Sequence, residues 1–303
     1  MIVIEREDKI MTGFERFHPV VLFFYYVCVL LFAMFSVHPL ILLAVLAGGV
    51  FFFGMMTPFR NLAKDLIYYF FLFLLIMLVN PLFSHNGVTI LFFMNDNPVT
   101  LEAFCVGAAT AAMITGVMFW CKAYQKILTT DKILYLFGKA SPKLALVLSM
   151  AMRYLPLLKD QMRTIHQTQK TMGMYTQESA ADRLLGNIRS FDSLLTWSLE
   201  HAVDTADAMK ARGYGLRGRT NFSLFRFRRE DGVVLAAMAI LALCITVSFL
   251  GGQYDFSYYP AIVKIKTKVW DLLCYGLVFL FMLLPGLLEV KENIQWNYWK
   301  SKI

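Results

Sequence analysis

Apolar residues in this chain gather into long runs separated by shorter polar stretches. A helix needs about 20 such residues to cross roughly 30 Å of hydrocarbon. Six runs approach or exceed that length: His18–Ser36, Pro39–Met56, Leu66–Phe83, Leu101–Cys121, Gly232–Leu250 and Trp270–Val290. They predict an all-α polytopic membrane protein of about six transmembrane helices. The run Val88–Met94 is too short to cross. Rich in β-formers and followed by Asn95-Asp96-Asn97-Pro98, it predicts an external loop or hairpin.

Between the fourth and fifth runs the pattern changes. Lys122–Asp231 is about 110 residues of largely helical periodicity, too long and too regular for a loop. Ser141-Pro142 predicts a helix start, with proline at the first helical position. Lys143–Leu158 is apolar enough to lie along a membrane face, and Leu155-Pro156 is expected to bend or end that helix. Residues 159–172 are mostly polar. Leu184, Ile188, Phe191, Leu195, Leu199, Ala202, Ala206 and Met209 then recur at three- and four-residue intervals. They draw one apolar stripe along a helix of roughly 28 residues, about 42 Å long, which Gly213 should stop. The expected organisation is spans one to four in 1–121, a helical cytoplasmic domain in 122–231, and spans five and six with a tail in 232–303.

Composition agrees with a membrane class: the chain is 58% hydrophobic with a mean hydropathy of +0.57. Charge then orients it. With the N-terminus inside, 26 of the 29 Lys and Arg residues fall on cytoplasmic segments and only Lys264, Lys266 and Lys268 on external ones. Both termini are therefore expected in the cytoplasm, and most of the net charge of +8 sits in the 122–231 block. Glu5, Glu7 and Asp8 interrupt the basic region that a cleavable signal would have, so the first span is expected to stay in the membrane. The five cysteines, Cys28, Cys105, Cys121, Cys244 and Cys274, form no Cys-x-x-Cys pair and read as small apolar residues.

Few residues suggest chemistry. Gly213-Tyr214-Gly215-Leu216-Arg217-Gly218 satisfies Gly-x-Gly-x-x-Gly but follows a helix instead of a strand, the wrong setting for a dinucleotide site. Gly138-Lys139 lacks the rest of a phosphate-binding loop, so any ATP must be hydrolysed by another chain. Gly251-Gly252-Gln253 lies on the expected outer face and reads as a turn. The histidines His18, His38, His85, His166 and His201 have no ligand spacing, and no metal is expected. The centres of the spans carry no Asp, Glu, Lys or Arg, which argues against an ion path through this chain alone. In the fourth span Ala103, Gly107, Ala111 and Thr115 share one small-residue face, with Ala108, Ala112 and Gly116 beside it. Such a face either packs against the protein's own helices or helps dock another membrane protein.

Two motifs carry a resemblance. Ala206-Asp207-Ala208-Met209-Lys210-Ala211-Arg212-Gly213-Tyr214-Gly215 puts an arginine at a helix end before a glycine, suited to a solvated terminus or to a side chain offered to a partner. Ala151-Met152-Arg153-Tyr154-Leu155-Pro156-Leu157-Leu158 lies upstream. Over most of its length the chain resembles the transmembrane component of energy-coupling factor (ECF) transporters, the family that includes the cobalt-type permease subunit CbiQ. The second stretch is similar to the family's arginine-aromatic-aliphatic-proline approach to its coupling region, through Arg153 and Pro156. The first is similar to the family's second Ala-Arg-Gly motif. The family's first such motif falls on Thr171-Met172-Gly173, where only the glycine matches.

The resemblance implies a non-catalytic scaffold that binds no cofactor itself. Two cytosolic ABC ATPase subunits, using ATP and Mg, would hold the coupling helices through Ala211-Arg212-Gly213 and Thr171-Met172-Gly173. A small membrane-embedded subunit would bind the substrate, a vitamin or transition-metal ion, and dock on the transmembrane part, with Ala103, Gly107 and Ala111 as candidates. It also implies a prokaryotic cell membrane, lipid contact and no nucleic acid. Two alternatives stand beside it. A permease of another ABC transporter would use a Glu-Ala-Ala-x-x-x-Gly loop, absent here, and an integral membrane enzyme would need a cluster of reactive groups, of which the sequence shows none.

Overall fold

Two helices begin with the same dipeptide. His18-Pro19 opens α1 (Pro19–Phe35) and His38-Pro39 opens α2 (Pro39–Met56). In each, the imidazole Nδ1 accepts the backbone N–H two residues on, Val20 or Leu40, at 3.3 Å. Each proline occupies a first-turn position whose missing N–H costs nothing. Two of the histidines are thus helix caps.

The computed structural model describes residues 13–84, 87–94, 97–173, 180–216, 225–260, 262–263 and 268–300. Glu5, Glu7, Asp8, Asn95, Asp96, Arg217, Gly218, Lys264 and Lys266 lie outside the described residues. The remaining helices are α3 (Phe59–Phe83), α4 (Leu101–Ile127), α5 (Thr130–Ala140), α6 (Pro142–Thr171), α7 (Ala180–Ala211), α8 (Arg229–Leu250) and α9 (Val269–Lys300). Five of them, α2, α3, α4, α8 and α9, are long and apolar enough to cross a membrane. The apolar α1 has 17 residues, at the lower limit of a span. This is an all-α polytopic membrane protein, with one two-stranded exception. Ile90–Met94 (β1) pairs antiparallel with Asn97–Thr100 (β2), where the short apolar run predicted a hairpin. The Glu102 carboxylate closes that hairpin onto α4 by accepting the Thr89 hydroxyl at 2.6 Å.

Contacts divide the chain into two units, 1–133 with 225–303, and 134–224. In the first, α2 packs against α4 and α9, α3 against α4, and α1 against α4 and α8. Its centre is aromatic: Tyr25, Tyr26, Phe52, Trp120 and Phe281 are all nearly inaccessible. Two of these rings find partners for their polar ends, whereas the Tyr26 hydroxyl is buried without one among the described residues. The Trp120 indole N–H donates to the Val45 carbonyl at 2.9 Å, and the Tyr25 hydroxyl to that of Phe281 at 3.1 Å. Asp231 is buried at the start of α8 and accepts two backbone N–H groups, Arg228 at 2.8 Å and His18 at 3.0 Å, which ties α8 to α1. Between α8 and α9, the Tyr258 hydroxyl donates to the Val37 carbonyl at 3.0 Å. Burial pushes this phenol up to about 12, so it remains a donor throughout the physiological range.

The helices run past the apolar runs that announced them. α3 starts at Phe59 instead of Leu66, and α4 continues from Cys121 to Ile127. A hydropathy run stops at the first charges, whereas a backbone hydrogen-bond ladder does not. The unit boundary at 133 accordingly falls beyond α4, and Asp231 belongs to the membrane unit through its cap.

Candidate functional site

The second unit is built on α6 and α7, which pack side by side. Pro156 does not end α6; the helix continues to Thr171 for 30 residues. Proline deprives the carbonyl of Met152 of its helical donor, and because Met152 and Pro156 both lie on exposed turns that carbonyl need not be buried without a partner. Side-chain hydrogen bonds join the helices. The Tyr154 and Thr205 hydroxyls lie 2.6 Å apart, and the buried Ser190 hydroxyl donates to the Gln169 side-chain carbonyl at 2.7 Å. The two links are equally spaced on each helix, 154 to 169 and 190 to 205, as an antiparallel pair in constant register requires. His201 stacks on Trp197 with centroids 4.9 Å apart and meets the Tyr154 ring edge-on at 5.8 Å.

Between Leu184 and Leu199 the face of α7 turned to α6 is not its apolar stripe. Gly186 and Ser190 are buried, whereas Leu184, Ile188, Phe191, Leu195 and Leu199 are exposed. Small residues let the helices approach closely at Gln169 and Ser190, so the large side chains are left uncovered by this chain.

Both helices end in the same backbone turn. Gly173 and Gly213 have φ of +71° and +81°, a region glycine enters without the strain of a Cβ. At the end of α7 the Gly213 N–H donates to the Lys210 carbonyl at 2.9 Å and the Tyr214 N–H to that of Met209 at 3.0 Å, the pair of bonds that defines a Schellman cap. At the end of α6 the Gly173 N–H donates to the Lys170 carbonyl at 3.2 Å. The residues before the glycines, Met172 and Arg212, are both exposed, as are Thr171 and Ala211.

Arg212 and Arg153 share one recess. Its volume is about 500 Å³, and it is walled by Leu146, Met150 and Arg153 from α6 and by Thr205, Met209 and Arg212 from α7. Neither guanidinium is bonded to another described residue. The geometry offers two forked donors beside an apolar floor, able to hold carboxylates or backbone carbonyls of an inserted segment. Lys210 is partnered instead by Asp207 at 3.3 Å, an exposed pair of little energetic weight. Of this recess, Thr205 was missed in the sequence, and Tyr154 was read only as the aromatic of the Arg153–Pro156 stretch. Their only signal for the recess was the four-residue spacing of Met150 with Tyr154 and of His201 with Thr205 on their helices.

The small-residue face of α4 is placed elsewhere. Ala103 and Ala111 are fully buried, and a Cβ added to Gly107 would stand 2.6 Å from the Met77 carbonyl oxygen of α3. Of the two readings of that face, the structure shows packing within the chain: α3 lies against α4 at Gly107, and Ala103 and Ala111 are covered. The adjacent Ala108 and Ala112 line a separate apolar recess of about 660 Å³ with Leu42, Leu46, Phe73 and Tyr258.

The family model described as Cobalt transport protein, CbiQ, matches residues 14–222, which excludes α8 and α9. The energy-coupling factor transporter transmembrane protein EcfT of Listeria innocua serovar 6a is 30% identical over 207 residues, covering 61% of this chain and 74% of that protein. The EcfT of Bacillus selenitireducens is 36% identical over 113 residues, 36% of this chain and 42% of its own length. That of Limosilactobacillus fermentum is 30% identical over 108 residues, 35% of this chain and 40% of its own.

Proposed function

We propose a division of labour for this chain, which belongs to the CbiQ family and is a transmembrane component of an energy-coupling factor transporter. It hydrolyses nothing itself. Two cytosolic ATPase subunits, using ATP and Mg, engage the ends of α6 and α7, and the displacement is passed to a separate, small membrane subunit that binds the substrate. That substrate is a vitamin or a transition-metal ion, and the assembly sits in a prokaryotic cell membrane with both termini of this chain in the cytoplasm.

The observation that carries this reading is the end of α7. A Schellman cap turns the chain away at Gly213 and leaves Arg212 exposed at the rim of a recess, unbonded to any other described residue. A guanidinium stays charged at any physiological pH and keeps its fork geometry while its partner moves, which suits a joint under load. The exposed stripe on α7 supports the same reading, because an uncovered apolar face calls for a membrane surface or a partner.

Affinity purification of the intact chain from its own membranes tests the proposal. Two ATPase subunits together with a third, small membrane protein are expected. ATPases alone would favour a conventional permease, and neither would favour an enzyme. Orientation is tested separately with single cysteines at Ser198 and Gln253 in a background lacking the native five. An impermeant thiol reagent on intact cells should label 253 and spare 198; the reverse pattern overturns the topology and the coupling assignment with it.

A further inference from the structure

The extra turns of α3 and α4 beyond their apolar runs enclose a polar recess of about 440 Å³. Lys64, Lys122 and Lys126 line it with a single carboxylate, Asp65, beside Asn61 and Thr57. Lys122 pairs with Asp65 at 2.6 Å, and Lys126 donates to the Thr57 hydroxyl at 2.8 Å. Beneath them lie ring faces: the Lys126 ammonium stands 4.9 Å from the Phe53 centroid, and that of Lys122 5.0 Å from the Tyr69 centroid. Lys64 is exposed and makes no bond with another described residue. The recess therefore holds Lys122 and Lys126 in place, leaves Lys64 unpaired among the described residues, and remains net positive.

Its level in the bundle is equally specific. Lys64 and Asp65 immediately precede the apolar run that begins at Leu66, and Lys122 immediately follows the one that ends at Cys121. These positions fall where hydrocarbon gives way to headgroups. Along α3 from Lys64, Tyr68, Phe71 and Leu75 follow at four, seven and eleven residues, on one face of the helix, and are 64%, 68% and 49% exposed. The face is cationic at one end and apolar for the next three turns.

We propose that this recess seats the phosphate headgroup of an anionic phospholipid, whose acyl chains follow the exposed face of α3. Basic pockets between membrane helices suit such headgroups, since lysine provides charge and three donors to phosphate oxygens. A soluble anion or an acidic segment of another protein would use the lysines alone, whereas a phospholipid engages both the lysines and the bilayer-facing surface of α3 that continues from them. Placing the lipid in the inner leaflet rests on the orientation proposed above; the lipid site itself does not.

The test uses the full-length chain with whatever subunits copurify, in detergent micelles, where no leaflet exists and orientation cannot affect the result. Native mass spectrometry counts bound lipid, and thermal unfolding reads stabilisation, during titration with phosphatidylglycerol or phosphatidylcholine. Each lysine near an anionic headgroup contributes about fivefold in affinity, or about 1 kcal/mol. Lys64→Gln with Lys126→Gln, which leaves the Lys122–Asp65 pair intact, should weaken phosphatidylglycerol retention by about 25-fold. Phosphatidylcholine retention should be unchanged, and the control Lys291→Gln should behave as wild type. Equal phosphatidylglycerol retention in the double variant and wild type overturns the site. Equal loss in the Lys291→Gln control shows nonspecific charge and overturns it too. Stabilisation by glycerol phosphate alone equal to that by the lipid would reassign the recess to a soluble phosphate. Loss of a copurifying subunit with lipid retention unchanged would reassign it to an acidic protein partner.

Discussion

At the end of α6, Thr171-Met172-Gly173 turns through a glycine at φ +71°, and at the end of α7, Ala211-Arg212-Gly213 turns through one at φ +81°. Each puts the preceding side chain into solvent, and each begins the reversal with the glycine N–H on the carbonyl three residues back. The two sites differ in what that side chain is. An exposed methionine brings a flexible apolar surface, whereas an exposed arginine brings a permanent charge and a directional fork. The difference separates two requirements that a motif written as three letters merges: the glycine shapes the turn, and the residue before it sets what a partner can grip. On this basis, coupling through the two ends should be asymmetric.

The sharpest way to break the comparison is at the charge. Truncating one member of a buried interfacial charge pair costs about 2 to 5 kcal/mol, roughly one to three powers of ten in affinity. Arg212→Ala should weaken ATPase association on that scale and Arg212→Glu further, with uptake lost, while Met172→Ala keeps most of both. Pull-down and uptake assays on variants with wild-type size-exclusion profiles decide it. Near-wild-type uptake for Arg212→Glu would remove Arg212 as the principal coupling residue.

The glycines come next, and here the two ends should behave more alike. Valine at either position must hold a β-branched residue at positive φ, at a cost of about 1 to 3 kcal/mol. Gly213→Val should be the worse, because its Cβ would also lie 3.0 Å from the Leu216 side chain, whereas nothing lies within 4 Å at Gly173. Hydrogen exchange in the last turns of α6 and α7 would read the fraying. A silent Gly213→Val would show that the turn is dispensable.

A smaller effect is expected where the helices are joined. Tyr154→Phe removes the contact to the Thr205 hydroxyl and should destabilise the pair by about 0.5 to 1.5 kcal/mol, visible in the thermal midpoint. It should leave ATPase association much closer to wild type than Arg212→Ala does; the opposite order would place the coupling contact at the helix junction and not at the helix end.

The last variant sharpens the comparison by erasing it. Met172→Arg places a guanidinium on a turn already of the right form, and if the first end contacts an ATPase, association should tighten about two- to fivefold, as for an exposed pair worth about 0.4 to 1 kcal/mol. Titration of the ATPase against both proteins measures it. Weaker association would mean that the α6 end meets an apolar surface to which methionine is already fitted.

How much of this was legible depended on whether the information was local. The six apolar helices could be read because hydrocarbon sets both their length and their composition, and the turn at Gly213 because glycine at a helix end has few other uses. Helix limits were obscured where charges interrupt hydropathy but not the backbone ladder, at Phe59 and at Ile127. At Pro156 the sequence left a bend or an end open, and only the end is excluded, because the helix continues with the freed Met152 carbonyl on an exposed turn. The stripe on α7 was visible, yet which face α6 covers was not, because that choice was made by Gly186, Ser190 and a distant Gln169. The Tyr154–Thr205 bond joins residues 51 positions apart, a distance over which no spacing rule operates. The small face of α4 had two readings, and only the position of the Met77 carbonyl separated them.

The stripe on α7 also sets a condition on biosynthesis. From Leu184 to Leu199, six large apolar side chains are 45% to 68% exposed. A newly made copy carries that surface from the ribosome until something covers it, and during that interval it is a target for aggregation and for proteases. Where a partner protein and not the membrane surface covers α7, the number of surviving copies is limited by the supply of that partner, and translating more of this chain alone will not raise it in proportion. Stoichiometry would be enforced by the removal of orphans, without a separate regulator.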